Sequence, residues 1–445
     1  MAIQKCPVEW SEWMEWLGAG LHGRCRWRLP ILFFGILFAT GRQTAASWLR
    51  AAGVSRDFQD YYYFISAVGR KTKTLATRLL LLLLKRLPSG DHVLFAIDDT
   101  PTKRYGPKVQ GAGIHHNPTP GPADAKFLYG HIWVTLAWVA RHPLWGTIGL
   151  PLRAALYIRR KDIPRLPEKL GWKFQTKLQQ GAALAFWAWM IVAEAGKRLW
   201  LVADGAYAKR PFLKPLRMLG VVVVSRLRKD AALYNLPRKP KKGQRCGPGR
   251  PPTYGKRRIS LAKRAAARRG WRTIECMQYG KAVTKQYKTF LATYHPACGM
   301  IRVVIVQERD GCEFFFSTDP EASVRDILEA FADRATIEQV FHDIKEVWGA
   351  GKQQLRYLWA NFGAYHLNLW AHTLVELWAW NKSNTTLCDR SASPWDDPTR
   401  RPSHADRRKA LRRNILRAEF SAAASSHRLP RKIRDFIKQL LGLAC

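Results

Sequence analysis

The chain has 445 residues, and its 74 Lys and Arg against 33 Asp and Glu give a net charge of +41 and a pI near 10.4. With 47% hydrophobic residues, including 19 Trp and 19 Phe, it is not a disordered polycation, because such chains lack the groups that bury a core. It is also too basic for an ordinary metabolic enzyme, since a charge this large repels itself unless the chain lies against a polyanion, either a membrane surface or nucleic acid.

Residues 1–88 read as mostly helical. Ile31–Thr40 follows a basic RCRWR, but it lies too deep in the chain for a leader, and no small-residue cleavage site follows. That run and the six leucines Leu79–Leu84 fall short of the roughly 20 apolar residues of a membrane span, so both are expected as buried helices. Thr44 is placed to cap a helix bearing Trp48, Leu49 and Ala52, with Gly53 at its end. The following DFQDYYYFISAV completes either a helix-turn-helix that contacts DNA or an ordinary helical hairpin.

Pro88-Ser89-Gly90 closes this block. His92–Ile97 reads as a buried strand that ends in Asp98-Asp99-Thr100-Pro101. His131–Val139 and Trp145–Leu150 are two further strands. An Ala- and Trp-rich helix is expected over 171–196. The strand Arg198–Ala203 runs into Asp204-Gly205, and a helix over Lys209–Leu219 and a strand over Val221–Leu227 follow. This order predicts a mixed α/β sheet layered with helices. In open sheets of that class the ligand site lies at the carboxyl ends of strands, where both Asp98 and Asp204 fall.

From Arg238 to Arg272 there are fourteen Lys and Arg and no acid. Within that run Gly249-Arg250-Pro251 resembles the core of an AT-hook, in which an Arg enters a narrow minor groove of high negative potential. DNA contact is expected for the segment, with Arg250 a candidate for reading bases. The alternating segments TIECMQYG, KQYKTFLATYHP, MIRVVIVQERDG and EFFFSTD predict an antiparallel meander. Helical periodicity resumes at Ser323 and continues to Trp380, with Trp370, Trp378 and Trp380 expected in the core. The region from Asn381 is polar and basic. The eight cysteines form no C-x2-C pair, which excludes a zinc knuckle or redox motif and points to free thiols in a reducing compartment. His115 and His116 have no evident third ligand and receive no role.

Three carboxylates, Asp98, Asp204 and Glu338, could hold two divalent metals, since hard cations prefer carboxylate oxygens and keep positions open for phosphate. Phe331, Arg334, Glu338 and Lys345 are spaced F-x2-R-x3-E-x6-K, which on one helix puts all four on one face. Such a stripe is either a salt-bridged surface or a carboxylate with two cations aimed at phosphates. Asp98 and Asp99 are neighbours on a strand and point to opposite faces, and the D-x-T pattern favours Asp98 over Asp99.

That spacing resembles the Y-x2-R-x3-E-x6-K signature of bacterial insertion-sequence DDE transposases. AIDDTPTKRYG resembles the family's first-aspartate block, LVADGAYAKRPFL its second, D-G-x-Y, and FFFSTDPEASVRDILEAFADRATIEQVFHDIKEVWG its third. The likeness covers about residues 30–380. It implies an α/β fold with an RNase H-like mixed-sheet core interrupted by a β-rich insertion. The corresponding segments are an N-terminal helical, helix-turn-helix-like DNA-binding region (1–88), core parts at 89–227 and 318–380, the basic β-rich insertion (228–317) and a basic C-terminal tail (381–445).

The resemblance further implies Asp98, Asp204 and Glu338 as catalytic metal ligands for two Mg2+, with Mn2+ substituting, and Arg334 and Lys345 on phosphates of the transposon end. Phe331 stands where the family has Tyr, so its ring can stack but cannot hydrogen-bond a phosphate. Relatives often cut through a hairpin and hold a flipped base on an aromatic, for which Trp271, Tyr279 and Tyr287 are candidates. The expected function is binding of terminal inverted repeats, metal-dependent cleavage and strand transfer into target DNA. A homodimer on double-stranded DNA, with no membrane partner, would act in a prokaryotic cytoplasm at the nucleoid. An inactive DNA-binding relative and an RNase H-like nuclease are the competing expectations.

Overall fold

The computed structural model describes residues 6–117, 125–237, 252–390, 395–397, 399–424, 430–431 and 433. The chain divides into two compact units. One comprises Met1–Leu87, Arg104–Gln110 and His342–Cys445, the other Pro88–Lys103 and Gly111–Phe341.

The first unit begins with helices α1 (Val8–Gly18), α2 (Arg28–Phe38), α3 (Ala45–Ala51), α4 (Phe58–Arg70) and α5 (Thr72–Arg86). Both apolar runs fold as buried helices. Leu32 to Leu37 of α2 are shielded, as are Leu79, Leu80, Leu82 and Leu83 of α5. Among the described residues no helix is long and apolar enough to cross a membrane. Thr44 caps α3 by accepting the Ser47 N–H, and Gly53 leaves the helix at φ +70°.

The second unit carries the sheet. Its strands are β1 (His92–Lys103), β2 (Gly113–His116), β3 (Phe127–His142), β4 (Gly146–Tyr157), β5 (Arg198–Ala203), β6 (Val222–Arg226), β7 (Leu233–Tyr234), β8 (Arg258–Ile259), β9 (Arg272–Gln278), β10 (Lys281–Tyr294), β11 (Gly299–Glu308) and β12 (Gly311–Ser317). Helices α6 (Lys177–Glu194) and α7 (Arg210–Met218) flank β5, α8 spans Leu261–Ala266, and α9 (Val324–Asp333) and α10 (Ala335–Glu346) follow β12.

Strands β4, β3, β1, β5 and β6 lie side by side in that order. β1 is antiparallel to β3 and parallel to β5, and β5 is parallel to β6. The runs Phe95–Ile97 and Leu199–Ala203 are buried without alternation, as strands covered on both faces must be. The expected meander forms as β9–β12. It is hydrogen-bonded into the same sheet, with Ser317 of β12 opposite Val224 of β6. Its first hairpin turns through Tyr279 (φ 53°) and Gly280 (φ 78°), the two left-handed residues of a tight turn matched to strand twist.

Two helix boundaries differ from expectation. The helix expected from residue 171 starts at Lys177, because Thr176 caps it in a reciprocal box with Gln179 and Gly171 takes φ +55°. The single helix expected to carry Phe331, Arg334, Glu338 and Lys345 is two. It breaks at Arg334, where the N–H of Arg334 bonds back three residues to Phe331 and that of Ile337 to Arg334, so the chain turns more tightly than an α-helix.

The first unit is completed by α11 (Leu358–Ala379), α12 (Asn384–Leu387) and α13 (His404–Ala424). Nearly every side of α11 is buried, as befits a helix apolar all round, and Trp370, Trp378 and Trp380 are in the core. It crosses α4 at two glycines: a Cβ on Gly69 would sit 1.9 Å from the Trp359 carbonyl oxygen, and one on Gly363 2.0 Å from that of Ile65. The region expected as a basic tail is partly structural. Arg408 of α13 donates to the carbonyls of Ile36, Leu37 and Ala39, which close the C-terminal end of α2.

Gly69→Ala should force the α4–α11 crossing apart and cost about 1–3 kcal/mol, the usual range for overpacking. Chemical denaturation would measure it, and an unchanged midpoint would contradict the close approach.

Candidate active site

β1 and β5 run parallel in register, with Ile97 opposite Ala203 as their last pair. The next residue on each is an aspartate: Asp204 leaves β5 there, whereas the strand expected to end at Asp98 runs on to Lys103, with Asp98 opposite Thr135 of β3 and only the pairing with β5 stopping. Asp204 turns at once into a 3-10 segment, Gly205–Tyr207, and Ser225 of β6 donates its hydroxyl to the Asp204 carbonyl at 3.1 Å. The Asp98 carboxylate accepts the Asp99 N–H at 2.8 Å and one arm of Arg334 at 2.9 Å. The other arm of Arg334 reaches Glu338, in the first turn of α10, at 2.7 Å. One guanidinium therefore ties together two carboxylates 240 positions apart in sequence.

Asp99, on the other face of β1, is held at 2.6 Å by Lys177, the first residue of α6. The structure thus brings Asp98, not Asp99, to Arg334 and Glu338.

Burial pushes the Asp98 carboxyl up to about 6, and the like charges of Asp99 and Asp204 push the same way, against the Asp99 N–H and Arg334. A half-buried group of acids that repel one another calls for a cation, and Arg334 already stands as one between Asp98 and Glu338. Glu338 is itself 60% exposed and so open to a ligand from solvent. The oxygen-only donor set suits a hard divalent ion.

The Phe331 ring lies 5.7 Å from the Arg334 guanidinium and 5.8 Å from that of Arg226, and packs on Phe315. An aromatic face is all this support requires, so no hydroxyl is needed for it. Lys345 lies two turns beyond Glu338 on α10, half-buried, and burial lowers its pKa. Arg250 falls outside the described residues. Of the aromatic candidates, Tyr279 is 75% exposed at its hairpin tip, while Trp271 is covered by the Lys288 ammonium at 4.4 Å. His115 is buried in β2, and burial pushes it down to about 4. Sequence reasoning missed Lys177, whose pairing with Asp99 has no local signal.

A family model described as DDE superfamily endonuclease matches residues 17–283, more than half of the chain. The chain belongs to the DDE superfamily endonucleases. Membership implies nuclease-type chemistry on DNA, and the superfamily typically uses a divalent metal. The match takes in Asp98 and Asp204 and ends before Glu338, which Arg334 links to Asp98. No curated protein matches this DDE endonuclease.

A second group lies in the other unit. Asp343, His372 and His404 offer ligand atoms within 4.8 Å of one another, a spacing a metal could bridge. Two features oppose that use of His404. Trp348 donates its indole N–H to His404 Nε2 at 2.7 Å, and an indole can only donate, so that lone pair is engaged. The His372 and His404 rings also stack at 3.9 Å and 15°, which keeps their in-plane lone pairs from converging. His404 Nδ1 must then carry the proton and donate to Glu376 at 2.5 Å, and Arg407 holds the second Glu376 oxygen at 2.6 Å. Burial opposes ionisation of Glu376, but Arg407 and His404 outweigh it and hold its pKa well below the usual range.

Burial, aided by His372 and resisted by Glu376, pushes His404 down to about 4. Between that value and the ordinary pKa near 6.5, the unfolded chain binds the proton and the folded chain does not. Stability should therefore fall as pH drops from about 6.5 towards 4, by on the order of 3 kcal/mol from this group. Thermal melts from pH 7 to 4 would show it, and His404→Gln should flatten that limb of the profile.

Proposed function

We propose that this DDE endonuclease is the transposase of a bacterial insertion sequence, with β4-β3-β1-β5-β6 as an RNase H-like catalytic core. The observation that carries the proposal is the union of Asp98, one residue past the last pair of β1 with β5 and so level with Asp204, with Glu338 through Arg334. Asp98, Asp204 and Glu338 would hold two Mg2+ ions. When bound, those ions supply activation of a water or 3′-hydroxyl and stabilisation of the leaving oxygen.

The protein's own groups do the rest. Asp98 is kept from full solvation, so its charge acts at short range on a nearby cation. Arg334, once released from the carboxylates, has two arms for a phosphate, and the Phe331 ring keeps its guanidinium near the site. Lys345 extends the phosphate track along α10. The basic run that includes Arg250 and the helical N-terminal region would bind the terminal inverted repeats. Strand transfer needs two ends held together, which favours a homodimer on DNA.

Full-length protein with Mg2+ should cut a duplex carrying the element's terminal repeat in preference to random DNA at the same salt. Asp204→Asn and Glu338→Gln should each lower cleavage roughly 100-fold or more. Retained cleavage in either variant would sink the assignment, and equal cutting of random DNA would favour a general nuclease.

Lys345→Ala should weaken binding to all duplexes alike and reduce the slope of log affinity against log salt by about 1. Fluorescence anisotropy across a salt series measures this. An unchanged slope would remove Lys345 from the phosphate contacts.

A further inference from the structure

Tyr207 ends the 3-10 turn that Asp204 opens, and its N–H bonds to the Asp204 carbonyl at 2.9 Å. Its ring is clamped. Phe212 of α7 meets it edge-on at 5.1 Å, and a Cβ on Gly181 of α6 would come within 3.1 Å of the ring. The residue is 2% exposed, yet its hydroxyl has no hydrogen-bond partner. A buried hydroxyl without an acceptor is uncommon, because it forfeits its bonds to water. The same Cβ on Gly181 would come within 3.1 Å of Ile97 Cδ1, so the ring lies near the side chain of the residue that precedes Asp98. The hydroxyl is therefore a buried donor without an acceptor, on the turn that Asp204 opens.

Lys177 already engages Asp99, while Asp98 is paired with Arg334, a partner that must leave if a divalent ion is to bind. We propose that Tyr207 is a positioning residue of the carboxylate site, donating its hydroxyl to an Asp98 or Asp204 oxygen when those carboxylates hold a divalent cation. This rests on the reading of Asp98 and Asp204 as metal ligands. A ligating carboxylate has oxygen lone pairs beyond the one it gives the metal, and a fixed donor on them sets its orientation. The clamped ring supplies that rigidity, and its unmade hydrogen bond is completed only in the loaded state.

The test uses full-length protein with Mg2+ or Mn2+ alone, by calorimetric titration and by melting with and without metal. Wild type should bind, and Asp204→Asn should lose binding. Tyr207→Phe should melt at or above the wild-type temperature without metal, because it removes an unpaired polar atom. It should bind metal roughly 10–100-fold more weakly, the usual cost of removing a group that orients a metal ligand. Wild-type metal affinity in Tyr207→Phe overturns the proposal. A lower metal-free melting temperature with unchanged affinity also overturns it and makes Tyr207 a packing residue. Metal binding that ignores Asp204→Asn overturns the ligand assignment itself, and the role of Tyr207 with it.

Discussion

Two carboxylates share one guanidinium at the end of the central strands, and the surrounding architecture serves that contact. Asp98 arrives on a buried strand, Glu338 on a separate helix, and Arg334 at the break between two helices. Burial raises the pKa of Asp98 to about 6, and the charges of Asp99 and Asp204 add to it. A cation nearby favours the ionised carboxylate. In the metal-free protein it is Arg334. A divalent ion taking its place would free the same side chain for a phosphate, so charge compensation and substrate contact would be two uses of one residue.

The parallel pairing of β1 with β5 is what makes the arrangement possible. The parallel register ends at Ile97 opposite Ala203, so the next residues, two aspartates more than a hundred positions apart in sequence, lie at the same level. The same turn that releases Asp204 carries Tyr207, whose buried hydroxyl has no hydrogen-bond partner. The meander β9–β12 extends this sheet through the β6–β12 pairing, so the frame under the site is continuous with the β-rich segment that lies between Asp204 and Glu338 in the chain.

The net charge of +41 is not all surface charge. Arg407 and Arg408 of α13 are buried against Glu376 and against the carbonyls ending α2, so part of the basic C-terminal region holds the helical unit together. The His404–Glu376–Arg407 network is satisfied at each of these contacts, with the His404 tautomer set by Trp348. It is an interior polar lock whose components look, in sequence, like any other basic stretch.

Local chemistry was legible in the residues alone. The cap at Thr44 was readable because a side-chain oxygen meets an N–H only a few positions away. The four meander strands and the buried strands before Asp98 and Asp204 were readable because alternation and apolar runs are short-range patterns. Asp98, Asp204 and Glu338 could be proposed as a set for the same reason, from the apolar runs before the two aspartates and the spacing around the glutamate. Folding settled what depends on distance across the chain. It gave Arg334 to Asp98 and Lys177 to Asp99, broke the expected helix at Arg334 and drew α13 into a core. None of these is encoded within one turn or one hairpin. Each is a choice among many charged partners, made by which backbones lie side by side once apolar surfaces are buried.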